Sequence, residues 1–268
     1  MSPRSTGRDL VNLPKAHLHL HLDGALRRDT YQELAAAAGV NPKLPREYGS
    51  FDAFSDTLVA AQLALRTDGD LERVIDEIVE DAVSDGAVWL ELSVWPGFLR
   101  GRLGSADHVL SVVLSSAKHA SVSHRIGVGV MVAANRNEGP DEAIRIARLA
   151  ADWAGHGVVS LGLDGDEVSA PAERFIEAFA IARASGLMAT PHAGELVGPS
   201  SIVAALDELG ASRILHGVRA VESSDLLARL GESDVCLDVW PTSNRDPPQV
   251  WAGLYGSPWL VEGGLPTQ

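Results

Sequence analysis

Thiols are almost absent from this 268-residue sequence, in which Cys236 is the single cysteine. That excludes an intramolecular disulfide framework and every thiolate-rich zinc site, so a metal centre here has to be built from histidine and carboxylate. Long apolar runs are missing too. No window approaches the roughly 20 consecutive apolar residues of a membrane-spanning helix, and the opening MSPRSTGRDLVN holds no apolar stretch of signal-peptide length. A cytoplasmic protein with no membrane partner is expected. Positive charge is scarce: 22 Lys and Arg stand against 36 Asp and Glu, a formal net charge of −14. A phosphate backbone would be repelled over most of such a surface, so no nucleic acid partner is expected. Low-complexity blocks and exact repeats are also lacking. What is there is 46% hydrophobic, enough for one large core, and a single domain spanning 1–268 is expected.

Short apolar runs alternate with amphipathic stretches along nearly the whole sequence, the rhythm of repeated strand and helix units. Candidate strands run from Ala16 to His21, Val88 to Leu92, Ile126 to Val132, Val158 to Leu163, Leu187 to His192, Arg213 to Leu215 and Val235 to Val239. Between them, Thr30 with Glu33 reads as a capping box for a helix closed by Gly39, and Pro140 and Pro171 suit first helical turns. The stretch from Asp70 to Asp85 puts Leu71, Val74, Ile75, Ile78 and Val79 on one helical face, with Gly86 as a stop. Polar residues gather where the strands end. A parallel TIM-type (β/α) barrel places its site there, so this α/β architecture is expected, with a doubly wound open sheet as the alternative.

The segment LPKAHLHLHLDGA, Leu13 to Ala25, carries His17, His19 and His21 at every second position. In a regular strand these three share one face, and Leu18, Leu20 and Leu22 share the other. His19 and His21 are spaced to reach one divalent ion, and equally spaced to be buried, hydrogen-bonded histidines. His17, one pleat deeper, reads as an interior barrel residue. The stretch TPHAGE, Thr190 to Glu195, ends another strand and supplies His192 as a third ligand, with Gly194 for a tight turn and Glu195 facing the same mouth. Hydrolysis at a metal also needs a group that gives and takes protons; Glu195 is placed to be one, and taken alone it reads equally as a solvated loop acid. RILHGV adds His216 at a further strand tip, by itself a core histidine.

Taken in order, His19-x-His21 with Leu22-Asp23-Gly24, then Asp164-Gly165-Asp166-Glu167, then His192-Ala193-Gly194-Glu195, then His216-Gly217 resemble the adenosine deaminase family, metal-dependent barrel enzymes of the amidohydrolase type. Pro14-Lys15, Trp89-Leu90-Glu91-Leu92 and Pro241-Thr242-Ser243-Asn244 extend the resemblance over Leu13 to Asn244. It implies a zinc ion held by His19, His21 and His192, with Glu195 handing a proton to purine N1 and His216 orienting or deprotonating the attacking water. It also implies that Asp23 and His21 lie against the substrate, Asp23 at the ribose, and that Gly165 offers its backbone to the base edge. The implied reaction is hydrolytic deamination of adenosine to inosine and ammonia by a zinc-activated water, with adenine or another aminopurine as the alternative substrate. A purine nucleoside is then the expected partner. The cytidine-type zinc deaminases are excluded, because neither H-x-E nor PCxxC occurs. A phosphosugar-binding barrel would need a Gly-rich phosphate loop, which is not found.

The family pattern completes its site with an aspartate pair after an eighth strand, the first of which ligates the metal. After Asn244 the sequence reads RDPPQVWAGLYGSPWLVEGGLPTQ without that pair, and Asp246 stands too close to the seventh-strand turn to replace it. Trp240 stands where the family often has cysteine, and Trp259 to Pro266 resembles the last helix and the start of the eighth strand. The eighth strand is therefore expected to be missing or incomplete, with 245–268 a divergent or truncated segment and 1–12 an N-terminal extension. An open seam between the first and seventh strands is expected, along with a homo-oligomer to cover it, and weak catalysis or nucleoside binding alone by this chain.

Overall fold

The computed structural model describes residues 13–44 and 51–240. The expected extension at 1–12, the turn from Pro241 to Asn244 and the segment 245–268 lie outside the described residues. Seven parallel strands follow one another around a single sheet: β1 (Lys15–His21), β2 (Ala87–Val94), β3 (Gly127–Asn135), β4 (Val158–Asp164), β5 (Met188–Ala193), β6 (Arg213–His216) and β7 (Cys236–Asp238). Each pairs with the next in sequence, without the reversal of order that marks a doubly wound sheet. The result is a nearly closed barrel, an incomplete TIM barrel, in which no described strand joins β7 to β1.

The helices are α1 (Arg28–Ala38), α2 (Phe51–Ala64), α3 (Asp68–Ser84), α4 (Pro96–Leu99), α5 (Ala106–His124), α6 (Pro140–Asp152), α7 (Ile176–Ala184), α8 (Pro199–Asp207) and α9 (Ser224–Gly231). None among the described residues is long and apolar enough to cross a membrane. Helix α3 forms as its periodicity predicts and buries Leu71, Val74, Ile75, Ile78 and Val79, each worth about 1.5–3 kcal/mol of burial. Its capping box joins Thr67 and Asp70. The box expected from Thr30 and Glu33 does not form. Helix α1 starts at Arg28, so both residues lie inside it; the Thr30 hydroxyl donates to Glu77 at 2.6 Å and Glu33 takes both guanidinium nitrogens of Arg73 at 2.9 Å. Partners on α3 have won over the local cap. Gly39 ends α1 and Pro140 opens α6 as expected, whereas Pro171 precedes a 3-10 turn and α7 begins only at Ile176.

Two layers of side chains flank the strands. Leu90, Leu92, Val130, Val132, Leu161 and Leu163 are fully buried in one cluster with the apolar faces of α3, α5 and α6. The barrel interior is polar instead. Arg213 of β6 pairs with Glu91 of β2 and lies 2.7 Å from Asp238 of β7, while Ser160 of β4 donates to Glu91 at 3.3 Å. Buried charges persist in this way only when paired, and removing one partner commonly costs about 3–5 kcal/mol.

The first strand is not regular, and the site depends on that. His17 stands opposite Leu90 but Leu20 stands opposite Leu92, so three residues of β1 span two of β2. The extra residue makes a bulge, with His19 in the left-handed region at φ 58°. A bulge reverses the inside-outside parity of everything before it. His17 therefore does not sit inside the barrel with the other two histidines: it lies on the side of the outward leucines, 27% exposed, with its Nε2 2.9 Å from Asp85.

Candidate active site

The C-terminal ends of β1, β4, β5 and β6 bring one group of side chains together. Nε2 of His19 lies 3.0 Å from Nε2 of His21 and 2.9 Å from Nε2 of His192, and the last two are 3.3 Å apart. An ion bound at the usual zinc–imidazole distance of about 2.0–2.1 Å holds its nitrogens about 3.3 Å apart, so this triangle accepts one divalent ion with little movement. Asp164, at the end of β4, stands 3.1 Å from Nδ1 of His192 and 3.7 Å from Nδ1 of His21; a ring proton on the nitrogen that faces this carboxylate leaves the Nε2 lone pair toward the centre. Burial, and then the neighbouring His192, His21 and His216, push the pKa of His19 well below that of a free imidazole and keep it neutral. For Asp164, burial opposes ionisation, yet His21, His192 and Arg136 hold its pKa below the carboxylate norm.

His216 caps the group from β6. Its ring is 5.0 Å from that of His19 and 5.2 Å from that of His192, and the three offer ring nitrogens within 4.8 Å of one another, a second set able to hold an ion. It, too, has a positive φ, 70°. Of the three described non-glycine residues in that region, two are site histidines, and such strain persists where surrounding structure imposes a geometry. Glu195, in the turn after β5, brings Oε1 to 3.5 Å from Nε2 of His216. Gly194 makes that turn at φ 68°, where a Cβ would be strained and would meet Ile202 Cγ1 at 2.6 Å.

Beside the histidines opens a cleft lined by His21, Asp23, Gln62, Ser93, Trp95 and Asp164. The Gln62 amide donates to Asp23, and among the described residues neither its buried Oε1 nor the hydroxyl of Ser93 has a hydrogen-bond partner. Burial raises the pKa of Asp23 against the opposing influence of His21 and the Gln62 amide. Gly165 follows β4 at φ 93°, where a Cβ would meet Asn135 Oδ1 at 2.6 Å. The structure thus gathers His19, His21, His192, Glu195 and His216, with Asp23 and Gly165 on adjoining strand ends. Gln62 and Ser93 had no role in the sequence reading; the signal was a lone amide in the apolar VAAQLAL and a lone hydroxyl after WLEL. Trp240 was noted only as a departure, and its ring lies 5.8 Å from that of His19.

The sequence matches a family model described as adenosine deaminase over residues 14–258. The chain belongs to the adenosine deaminase family. The match runs past Asn244 into the segment expected to fit poorly. A protein of Streptomyces virginiae described as an adenosine/adenine deaminase is 42% identical, covering 97% of this chain and 80% of its own length. An adenine deaminase of Rhizobium meliloti is 34% identical over 87% of this chain and 74% of its own. The crystal structure of an amidohydrolase from a Burkholderia species with bound zinc superimposes with a TM-score of 0.81 at 26% identity, over 92% of this chain and 74% of that one. As a family member the chain is a hydrolytic deaminase of the amidohydrolase fold, and its histidine cluster is of the kind that binds a metal.

Proposed function

We propose that this deaminase removes the C6 amino group of a 6-aminopurine, adenosine first, giving inosine and ammonia, with adenine as the alternative substrate. His19, His21 and His192 would hold a zinc ion, His216 standing beside them. When bound, such an ion supplies Lewis acidity and makes water acidic enough to attack near neutral pH. The residues do the rest. Glu195 donates a proton to ring N1, which withdraws electrons from C6 and prepares it for addition of water. His216, 3.5 Å from Glu195, orients that water, accepts its proton and passes it to the amino group, which leaves as ammonia, while the C6 hydroxyl proton returns to Glu195 as the C=O forms. Asp23, the free Gln62 oxygen and the Ser93 hydroxyl form an acceptor-rich wall suited to ligand hydroxyls, and the Gly165 backbone faces the base edge.

The observation that carries this reading is the convergence of three imidazole nitrogens, each within 3.3 Å of the others, beside a carboxylate and a fourth imidazole. The test is incubation of the zinc-loaded chain with adenosine and with adenine, following ammonia and the oxopurine. Deamination of at least one, lost on chelation and restored by zinc, is expected. Binding without turnover of either would replace the enzyme by a nucleoside-binding protein.

A further inference from the structure

The carboxylate of Glu167 does no work in the reaction just described, yet it is among the most heavily bonded groups in the molecule. Only 4% of the residue is exposed. Oε1 accepts the Gly194 N–H at 2.6 Å and the Ser201 hydroxyl; Oε2 accepts the N–H groups of Glu195, Leu196 and Val197 at 3.2, 2.7 and 2.9 Å. A carboxylate has about four lone-pair positions, so five donors saturate it. Four consecutive backbone N–H groups turned toward one anion form a concave nest of the kind that binds anions. The residues of that nest are the turn carrying Glu195.

The same turn is held at other points. The Gly194 carbonyl accepts from the Arg219 N–H at 3.1 Å, and the Arg219 guanidinium donates to the Leu196 carbonyl at 2.6 Å. Buried Arg136 donates to the carbonyl of His192 at 2.7 Å; burial lowers its pKa, and Glu167 is foremost among the acids that oppose this. Glu167 therefore ties the end of β4, through a charge, to the loop after β5.

We infer that Glu167 is a positioning residue for deamination: its carboxylate fixes the 194–197 turn and so holds Glu195 where it can protonate the purine. This rests on the reading of Glu195 as the proton donor. Glu167→Gln puts an amide N–H where the nest needs an acceptor, while leaving all three metal-binding histidines in place. Misplacement of a reacting group by about 1 Å costs on the order of 10²-fold in rate.

The experiment compares zinc-loaded wild type, Glu167→Gln, Glu195→Gln and the double variant. Glu167→Gln is expected to keep one zinc per chain and a KM within about threefold of wild type, with kcat down about 10–100-fold. In the double variant, kcat should stay within about twofold of Glu195→Gln alone, since a residue acting through Glu195 has nothing left to position. Amide exchange at 194–197 should quicken at least about tenfold in Glu167→Gln, with β6 unchanged. An undiminished kcat, penalties that multiply in the double variant, or unchanged exchange would overturn the inference. If Glu167→Gln does not fold, Ser201→Ala, which removes one of the five donors, takes its place: a several-fold kcat loss that vanishes in the Glu195→Gln background supports the inference, and no loss or a persistent one overturns it. A wild-type chain that deaminates no 6-aminopurine would sink the reading of Glu195 as acid, while exchange at 194–197 still decides whether Glu167 orders the turn.

Discussion

At the scale of single residues, the proposed reaction separates the site into groups that would hold a metal and groups that would react. The nitrogens of His19, His21 and His192 face one another with Asp164 behind two of the rings, a donor set that is complete without Glu195. Glu195 lies beside that set, its Oε1 3.5 Å from Nε2 of His216 and its charge also felt by His192. Replacing Glu195 by Gln should therefore leave metal content unchanged and lower kcat by about 10²–10⁴, the usual loss for a general acid; metal analysis and steady-state kinetics on the same preparation check both halves, and a variant that turns over normally would remove Glu195 from the reaction. Gln62 and Ser93 answer a different question. Both residues line the cleft rather than the metal triangle, and Gln62 Oε1 and the Ser93 hydroxyl have no partner among the described residues. Gln62→Leu and Ser93→Ala should raise KM for adenosine more than for adenine if those atoms meet the sugar, with kcat little changed; equal effects on the two substrates would assign them to the base.

Elements formed from the sequence where the signal was local and failed where a distant partner decided. The seven strands lie within a few residues of their expected limits because each is a short apolar run bounded by turn residues. Helix caps show the other case. Thr30 with Glu33 and Thr67 with Asp70 have the same spacing, but the first pair is drawn onto α3 by Glu77 and Arg73, leaving only the second free to cap. Thr67→Ala should accordingly cost about 1 kcal/mol in urea unfolding, and a loss below a few tenths would show that the box carries no stability. The β1 bulge was equally hidden. Period-two alternation puts His17, His19 and His21 on one face, but nothing in HLHLH marks the extra residue that turns His17 out toward Asp85. Bulges arise from pairing with a neighbour, which a strand's own sequence does not contain. Asp164 and Glu167 stood inside a quoted motif, yet their separate tasks, one behind the imidazoles and one under the next turn, depend on which strand ends become adjacent.

For the molecule as a whole, the placement of the ligands matters more than their number. His19 and His21 come from β1 and His192 from β5, strands separated by three others around the sheet. An ion held by all three would join opposite sides of the barrel mouth, between β1, which no described strand joins to β7, and β5, which is paired on both sides. The unfolded chain has no such arrangement of imidazoles, so a zinc ion bound there would add to folding stability by linkage, about 2.7 kcal/mol at a free-ion concentration 100 times Kd. For a chain of this size that corresponds to a rise of about 5–10 °C in Tm. Thermal unfolding with zinc and with chelator should show this rise in wild type and in Glu195→Gln, and not in His192→Ala, whose loss removes the link to β5. A zinc-dependent rise that survives in His192→Ala would mean the stabilising ion binds elsewhere, and the three histidines would have to be read as a packed, hydrogen-bonded cluster instead.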